Sequence, residues 1–277
     1  MNAARSAART GGWFRHLSPT LGDPARWLRL AWKQLTCRVP ATVFHVTHYK
    51  AGSQWVHRIL HNLAEPWVVP PQVDGSQFFR SPVRAGAVYP TLYVTREQFE
   101  TARLPRYWKR FVVIRDLRDT LVSAYFSLKQ SHHRTAHQGV PGFRARLQAL
   151  PPERALLCMV REWCGPVAAM QRSWVGGPDE LLRYEDLLVR DAELFERVLI
   201  GHCRLPVSPE RLRAVVLANR FEARAGRKPG AEDRGSHERK GVAGDWRNHF
   251  TDRVAKAFKD RYGDLLVATG YEKDDRW

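Results

Sequence analysis

A chain of 277 residues with 44% hydrophobic content can bury a full core, and it reads as one main domain. Its 45 Lys and Arg against 28 Asp and Glu leave a net charge of +17, so its surface attracts anions: nucleotides, sulfated or acidic substrates, nucleic acid or acidic lipid. No run of about 18 apolar residues and no apolar signal-peptide core occur, so the chain reads as cytoplasmic and without a membrane-spanning helix.

Residues 1 to about 20 are rich in Arg, Ala, Ser and Gly and poor in acid, a composition expected to stay flexible. From Pro24 to Leu35, Trp27, Leu28, Ala31, Trp32 and Leu35 share one helical face. Residues 1–40 therefore read as a basic N-terminal extension with a short amphipathic helix. Its tryptophans either pack on the domain or make peripheral membrane contact through residues 24–35.

Thr42 to Val46 is a β-branched and aromatic run suited to a buried strand, and from Ser53 onward Trp55, Val56, Ile59, Leu60 and Leu63 fall on one helical face. The turn between them holds Lys50, Gly52 and Ser53. Backbone N–H groups, the positive end of a helix dipole, a cation and a hydroxyl converge there, which is chemistry for gripping an anion. It is not a Walker A loop, because the lysine precedes the glycine.

A Pro-rich connection through Pro66, Pro70, Pro71, Pro82 and Pro90 leads to a second short strand expected over Thr91 to Thr95. Phe111 to Ile114 is a continuous apolar run, as a parallel strand covered on both faces requires. Arg115-Asp116 follow at its carboxyl end, and Leu117, Leu121, Ala124, Tyr125 and Leu128 keep helical spacing, with Ser123 two turns in. A Walker B strand would end in a magnesium-holding acid; an arginine here argues against a metal-dependent NTPase.

Pro152 to Trp174 has a helical pattern with a break expected at Gly165-Pro166. Leu181 to Tyr184 reads as a strand, followed by Glu185-Asp186 and a helix through Leu199. Ser208-Pro209-Glu210 starts a helix that runs toward Phe221. Alternating strands and helices predict an α/β fold with a mostly parallel central sheet flanked by helices, and a ligand at the strand carboxyl ends. Ala225 to Asn248 is rich in glycine and charge and reads as a mobile loop, after which Thr251 caps a final helix bearing Val254, Phe258, Tyr262 and Leu265.

The four cysteines, Cys37, Cys158, Cys164 and Cys203, show no metal-finger spacing and read as reduced thiols. His132, His133 and His137 lie close together without acidic or cysteine partners, so no metal site is expected.

Four stretches in order, YKAGSQW at 49–55, VVIRDLRDTLVSAY at 112–125, RYEDL at 183–187 and RKGVAGDWRNHFT at 239–251, resemble the sulfotransferases that use 3′-phosphoadenosine-5′-phosphosulfate (PAPS), especially the cytosolic type and its bacterial relatives. The resemblance covers residues 41–277 and implies a P-loop-like three-layer fold. It places Lys50, Ala51, Gly52, Ser53, Gln54 and Trp55 around the 5′-phosphosulfate, with Trp55 also near the adenine. Arg115 and Ser123 match the pair holding the 3′-phosphate, Arg239, Lys240 and Gly241 the loop that closes on it, and Tyr184 the adenine-edge contact. Planar guanidinium groups suit phosphate oxygens, in keeping with these roles.

The chain departs from the family pattern where His48-Tyr49 replaces Tyr-Pro and Gln54 replaces threonine. The family's base histidine, in a Lys-Thr-His run, corresponds here to Val94-Thr95-Arg96-Glu97. Glu97 is therefore the first candidate for the general base, with His48 and His132 behind it. The expected activity is sulfuryl transfer from PAPS, without a metal, to a hydroxyl or amine of a small-molecule, lipid or carbohydrate acceptor, leaving adenosine 3′,5′-bisphosphate. The alternatives are a P-loop-type kinase, which needs Walker A and magnesium-binding acids, and a non-catalytic nucleic-acid binder, which leaves anion-site residues at two strand ends unexplained.

Overall fold

Alternate side chains of strand β1 (Thr42–Thr47) face two different cores, which fixes this strand inside the sheet. Val43 packs with Phe111 and Val113 on one side, and Phe44 and Val46 pack with Val112 and Ile114 on the other. The computed structural model describes residues 40–71, 81–131 and 142–277. The expected helix at 24–35, Cys37 and the cluster of His132, His133 and His137 lie outside the described residues.

Among the described residues, β1 is joined by β2 (Val88–Leu92), β3 (Trp108–Ile114) and β4 (Glu180–Arg183) in one parallel sheet of order β2-β1-β3-β4. Helix α1 (Ser53–Ala64) follows β1, α2 (Arg96–Glu100) follows β2 and α3 (Leu117–Phe126) follows β3. Next come α4 (Phe143–Ala149), α5 (Pro152–Glu162) and α6 (Cys164–Trp174). After β4 the chain forms α7 (Tyr184–Phe195), α8 (Pro209–Ala218), α9 (Phe221–Ala225) and α10 (Asp252–Ala268).

Val56, Ile59 and Leu60 of α1 pack with Leu187 and Phe195 of α7 and Leu212 of α8 on the Val43 face. Phe99 of α2 and Trp174 of α6 close the Phe44 face. Helices thus cover both faces, the three-layer α/β arrangement that the alternating pattern and the resemblance imply. A further cluster joins α3, α4, α5, α6 and α10 through residues such as Leu121, Leu147, Met159, Val167 and Phe258.

Three boundaries differ from the sequence expectation. The second strand ends at Leu92 instead of spanning Thr91 to Thr95, because Thr95 is the N-cap of α2, accepting from the Gln98 N–H in a capping box. Pro90 is tolerated because β2 is an edge strand whose register slips by one residue there. His45 Nδ1 donates to the Pro90 carbonyl at 2.6 Å. The break between α5 and α6 falls at Trp163, not at Gly165-Pro166, since a proline at 166 cannot donate to the Glu162 carbonyl and so ends the helix four residues earlier. Tyr184 is the first residue of α7, with Glu185 and Asp186 in its first turn.

Candidate active site

The turn from β1 to α1 is bent by two residues of positive φ, Lys50 at 67° and Gly52 at 83°. The first turn of a helix leaves N–H groups that no helical carbonyl reaches, and no side chain caps α1. Gly52 cannot be replaced without movement: a Cβ there would lie 2.8 Å from the ring of Tyr184. The sheet order explains the contact, since β3 and β4 deliver Arg115 and Tyr184 to the same edge as the turn. Arg115 donates through Nη1 to the Lys50 carbonyl at 3.0 Å, and its guanidinium lies 4.6 Å over the Tyr184 ring.

Lys50 Nζ donates to Ser127 Oγ at 3.2 Å. Burial, then repulsion from Arg115 and Arg239, pushes its ammonium down to about 8. Cations have been gathered here against their mutual repulsion, and an anion would relieve it.

The segment expected to be a mobile loop is irregular except for a 3₁₀ turn at Asp245–Asn248, yet it is tied in place. Asp245 accepts from Arg239 and from Lys240, each at 2.5 Å. Burial opposes that carboxylate, but the bonds from Lys240, Arg239 and Asn248 outweigh it and hold Asp245 well below the usual range. Asp119 in the first turn of α3 accepts from the N–H groups of Gly244 at 2.6 Å and Trp246 at 2.9 Å. Gly241 has φ 65°, and a Cβ on it would collide with the ring of Phe221.

These elements surround a cavity of about 290 Å³. Lys50, Gly52, Ser53, Gln54, Trp55, Arg115, Ser123, Tyr184, Arg239, Lys240 and Gly241 all line it. Ala51 is buried and does not line it. Trp55 Nε1 and Arg115 Nε are buried without a hydrogen-bond partner among the described residues. Sequence reasoning missed Phe221 and Tyr93, which also line the cavity. Tyr93 is the first residue past β2, so a correct strand boundary would have exposed it; its Oη lies 2.8 Å from Ser53 Oγ.

The candidate bases fare differently from the anion-site residues. Glu97 sits exposed in the first turn of α2 and does not line the cavity. Its own backbone N–H, then the Thr95 hydroxyl, hold its carboxyl below the ordinary value. His48 is buried and also outside the lining. Its Nε2 accepts the Arg115 N–H at 3.2 Å and its Nδ1 donates to the Tyr49 carbonyl at 3.0 Å. Burial pushes the ring down to about 4, so it is a neutral brace with no lone pair left for a substrate proton. His132 lies outside the described residues. Among the described residues no three His, Cys, Asp or Glu side chains are grouped to ligate a metal, and no helix is long and apolar enough to cross a membrane.

The family described as "Sulfotransferase domain" matches residues 40–270. Among solved structures, a mouse sulfotransferase, SULT7A1, complexed with PAP is similar at 16% identity and a TM-score of 0.58, over 83% of this chain and 88% of that one. A retinol dehydratase in a complex with retinol and PAP is similar at 14% identity and a TM-score of 0.50, over 87% of this chain and 86% of that one. At these identities the two structures establish the shared fold. No curated protein matches the sequence.

Proposed function

The chain belongs to the sulfotransferase domain family, and from that premise we propose that its cavity binds PAPS and passes the sulfuryl group to a hydroxyl or amine of a small-molecule acceptor. One observation carries this reading: Lys50, Arg115, Arg239 and Lys240, from three separate stretches of chain, face one cavity in which burial and the neighbouring guanidiniums push the lysine's ammonium down to about 8. The site's chemistry fits a multiply charged nucleotide. Arg115 Nε and Trp55 Nε1 are buried donors without partners among the described residues, and the two glycines admit backbone where a Cβ would collide with an aromatic ring.

In this reading Lys50, Gly52, Ser53, Gln54 and the start of α1 grip the 5′-phosphosulfate, with Ala51 shaping the turn from behind. Arg115, Ser123, Arg239 and Lys240 hold the 3′-phosphate, and Gly241 lets the loop lie against Phe221. Trp55, Tyr184 and Phe221 form the aromatic wall for the adenine. PAPS supplies an activated sulfuryl group whose departure leaves charge on a phosphate oxygen. Lys50 and the α1 amides are oriented beforehand toward such charge, which is where fixed dipoles lower a barrier most.

A kinase needs carboxylates to hold magnesium, whereas the one carboxylate in the described lining, Glu238, is held by Arg58 at 3.1 Å. We read residues 41–277 as the catalytic domain and 1–40 as a basic extension. Free thiols at Cys158, Cys164 and Cys203 support a cytoplasmic location. Tyr49, Leu128 and Trp163 in the lining favour an acceptor with an apolar body over a carbohydrate.

Thermal melting tests the proposal. Adenosine 3′,5′-bisphosphate at a hundred times its dissociation constant should stabilise the protein by about 2.7 kcal/mol, while ATP and an oligonucleotide do markedly less. Stabilisation by ATP or oligonucleotide in place of the bisphosphate would overturn it. A panel of acceptors with labelled PAPS then identifies the acceptor class.

A further inference from the structure

Glu97 is exposed and His48 has both ring nitrogens engaged, so neither is placed to take the acceptor's proton. The imidazole and carboxylate in the described lining, His237 and Glu238, belong to the loop, where Glu238 is tied to Arg58. Among the described residues beside the turn that carries Lys50, two hydroxyls face each other. Tyr93 Oη and Ser53 Oγ lie 2.8 Å apart, either one able to donate. Tyr93 stands one residue beyond the carboxyl end of β2, and its ring rests 4.2 Å from that of Tyr49, which fixes its direction. Ser53 is the first residue of α1, at the turn read above as the phosphosulfate grip.

We propose that Tyr93 and Ser53 form a two-hydroxyl relay that takes the acceptor's proton and hands it to the leaving phosphate. The inference rests on the sulfotransferase reading of the cavity. As the acceptor oxygen forms its bond to sulfur and the bond from sulfur to the bridging phosphate oxygen breaks, the acceptor's proton passes to Tyr93 Oη. The Tyr93 proton passes to Ser53 Oγ, and the Ser53 proton passes to the phosphate oxygen. Both side chains end neutral and unchanged, and the proton finishes on the group that has gained charge.

A relay suits these residues better than a lone tyrosinate would. Burial pushes the Tyr93 phenol up, against the opposing bond from Ser53, so the neutral form dominates at neutral pH. A neutral phenol cannot keep an extra proton, but it can exchange one for another along a preformed hydrogen bond.

The experiment compares wild type, Tyr93→Phe and Ser53→Ala on two acceptors, a simple alkanol and 4-nitrophenol. A phenol of that acidity sheds its proton to water without help, whereas an alkanol does not. Tyr93→Phe should lower kcat on the alkanol by roughly 10²-fold or more and on 4-nitrophenol by less than about tenfold. The double variant should be no slower on the alkanol than the slower single one, because the two hydroxyls act as a unit. Calorimetric affinity of Tyr93→Phe for adenosine 3′,5′-bisphosphate should fall far less than its kcat on the alkanol, because the variant keeps Ser53 and the rest of the phosphate grip. Equal losses on both acceptors, or an undiminished alkanol rate, would overturn the relay while leaving the family activity intact. Should Tyr93→Phe not fold, Ser53→Ala tests the relay through the ratio of its losses: its share in the phosphosulfate grip slows both acceptors alike, and an alkanol loss no larger than the 4-nitrophenol loss overturns the relay. A wild type that neither binds the bisphosphate nor sulfates either acceptor overturns the underlying reading instead.

Discussion

The Arg115 guanidinium lies 4.6 Å over the ring of Tyr184, and that same ring closes against Gly52 on its other contact. The first residue of α7 therefore holds both the arginine at the end of β3 and the turn that follows β1. Gly52→Ala should break this arrangement twice over: an L residue at φ 83° costs about 1–2 kcal/mol, and its Cβ meets the ring at 2.8 Å. A lower melting temperature and a loss of roughly tenfold or more in affinity for adenosine 3′,5′-bisphosphate are expected, read by calorimetry.

Lys50→Ala should leave the fold intact and remove most turnover. Among the described residues the lysine's side-chain hydrogen bond is to Ser127, and the half-buried side chain leaves the turn's backbone bonds untouched when it is truncated. Removing a charge-stabilising donor typically raises the barrier by about 2.7–4 kcal/mol. Steady-state kinetics beside a melting curve checks both halves, and near-wild-type kcat would remove Lys50 from the reaction.

The depressed Lys50 ammonium also gives nucleotide binding a pH dependence. In the free protein it titrates at about 8 against an ordinary 10.5, and a bound phosphate raises it again. Below about pH 8 the lysine is charged both free and bound, so affinity is flat; above it the free protein has lost the proton that binding must take up. Affinity should fall as pH rises from 8, with proton uptake seen by calorimetry in buffers of different ionisation heat. Lys50→Arg should flatten the curve, because a guanidinium stays charged throughout.

Asp119 should govern the loop that carries Arg239 and Lys240. Its carboxylate takes the N–H groups of Gly244 and Trp246, and Asp119→Ala would leave two donors unsatisfied, each at about 1–3 kcal/mol. Limited proteolysis should then cut the 225–248 segment faster, and adenosine 3′,5′-bisphosphate should protect the wild-type loop more than the variant's. Equal cleavage in both proteins would mean that the loop is held elsewhere.

What the sequence made legible follows from where physics is local. The β1 run, the Lys50 to Ser53 turn, the β3 run ending in Arg115 and the Thr251 cap each carry their signal within a few residues. The loop's order was hidden because it arises from ion pairs and caps such as Arg239 with Asp245 and Gly244 with Asp119, which composition does not display. The β2 boundary was missed because Pro90 reads as a strand breaker unless the strand is known to lie at an edge. That shift moved attention to Glu97 and away from Tyr93. His48 looked chemically available because sequence does not show that its two ring nitrogens are spent on backbone groups.

The two side chains displaced as base candidates should now behave in opposite ways. Glu97→Gln removes a carboxylate that is exposed and serves only the start of its own helix, so turnover should stay within about twofold of wild type. Its effect should appear in stability against pH. The folded carboxyl is held below its ordinary 4.5, so its stabilisation is present above that value and lost as pH falls through the folded one. The melting temperatures of wild type and Glu97→Gln should therefore converge in acid. His48→Ala should instead destabilise the protein most above about pH 6.5, because it removes the acceptor of the half-buried Arg115 N–H, a loss of about 1–3 kcal/mol, and the penalty should shrink as pH falls toward about 4, since the buried neutral ring itself costs wild type stability there. Any fall in its turnover should follow the displacement of Arg115 and come with weaker binding of adenosine 3′,5′-bisphosphate. A His48→Ala protein with wild-type stability and nucleotide affinity but no turnover would restore the imidazole as the base and remove the need for the Tyr93 relay.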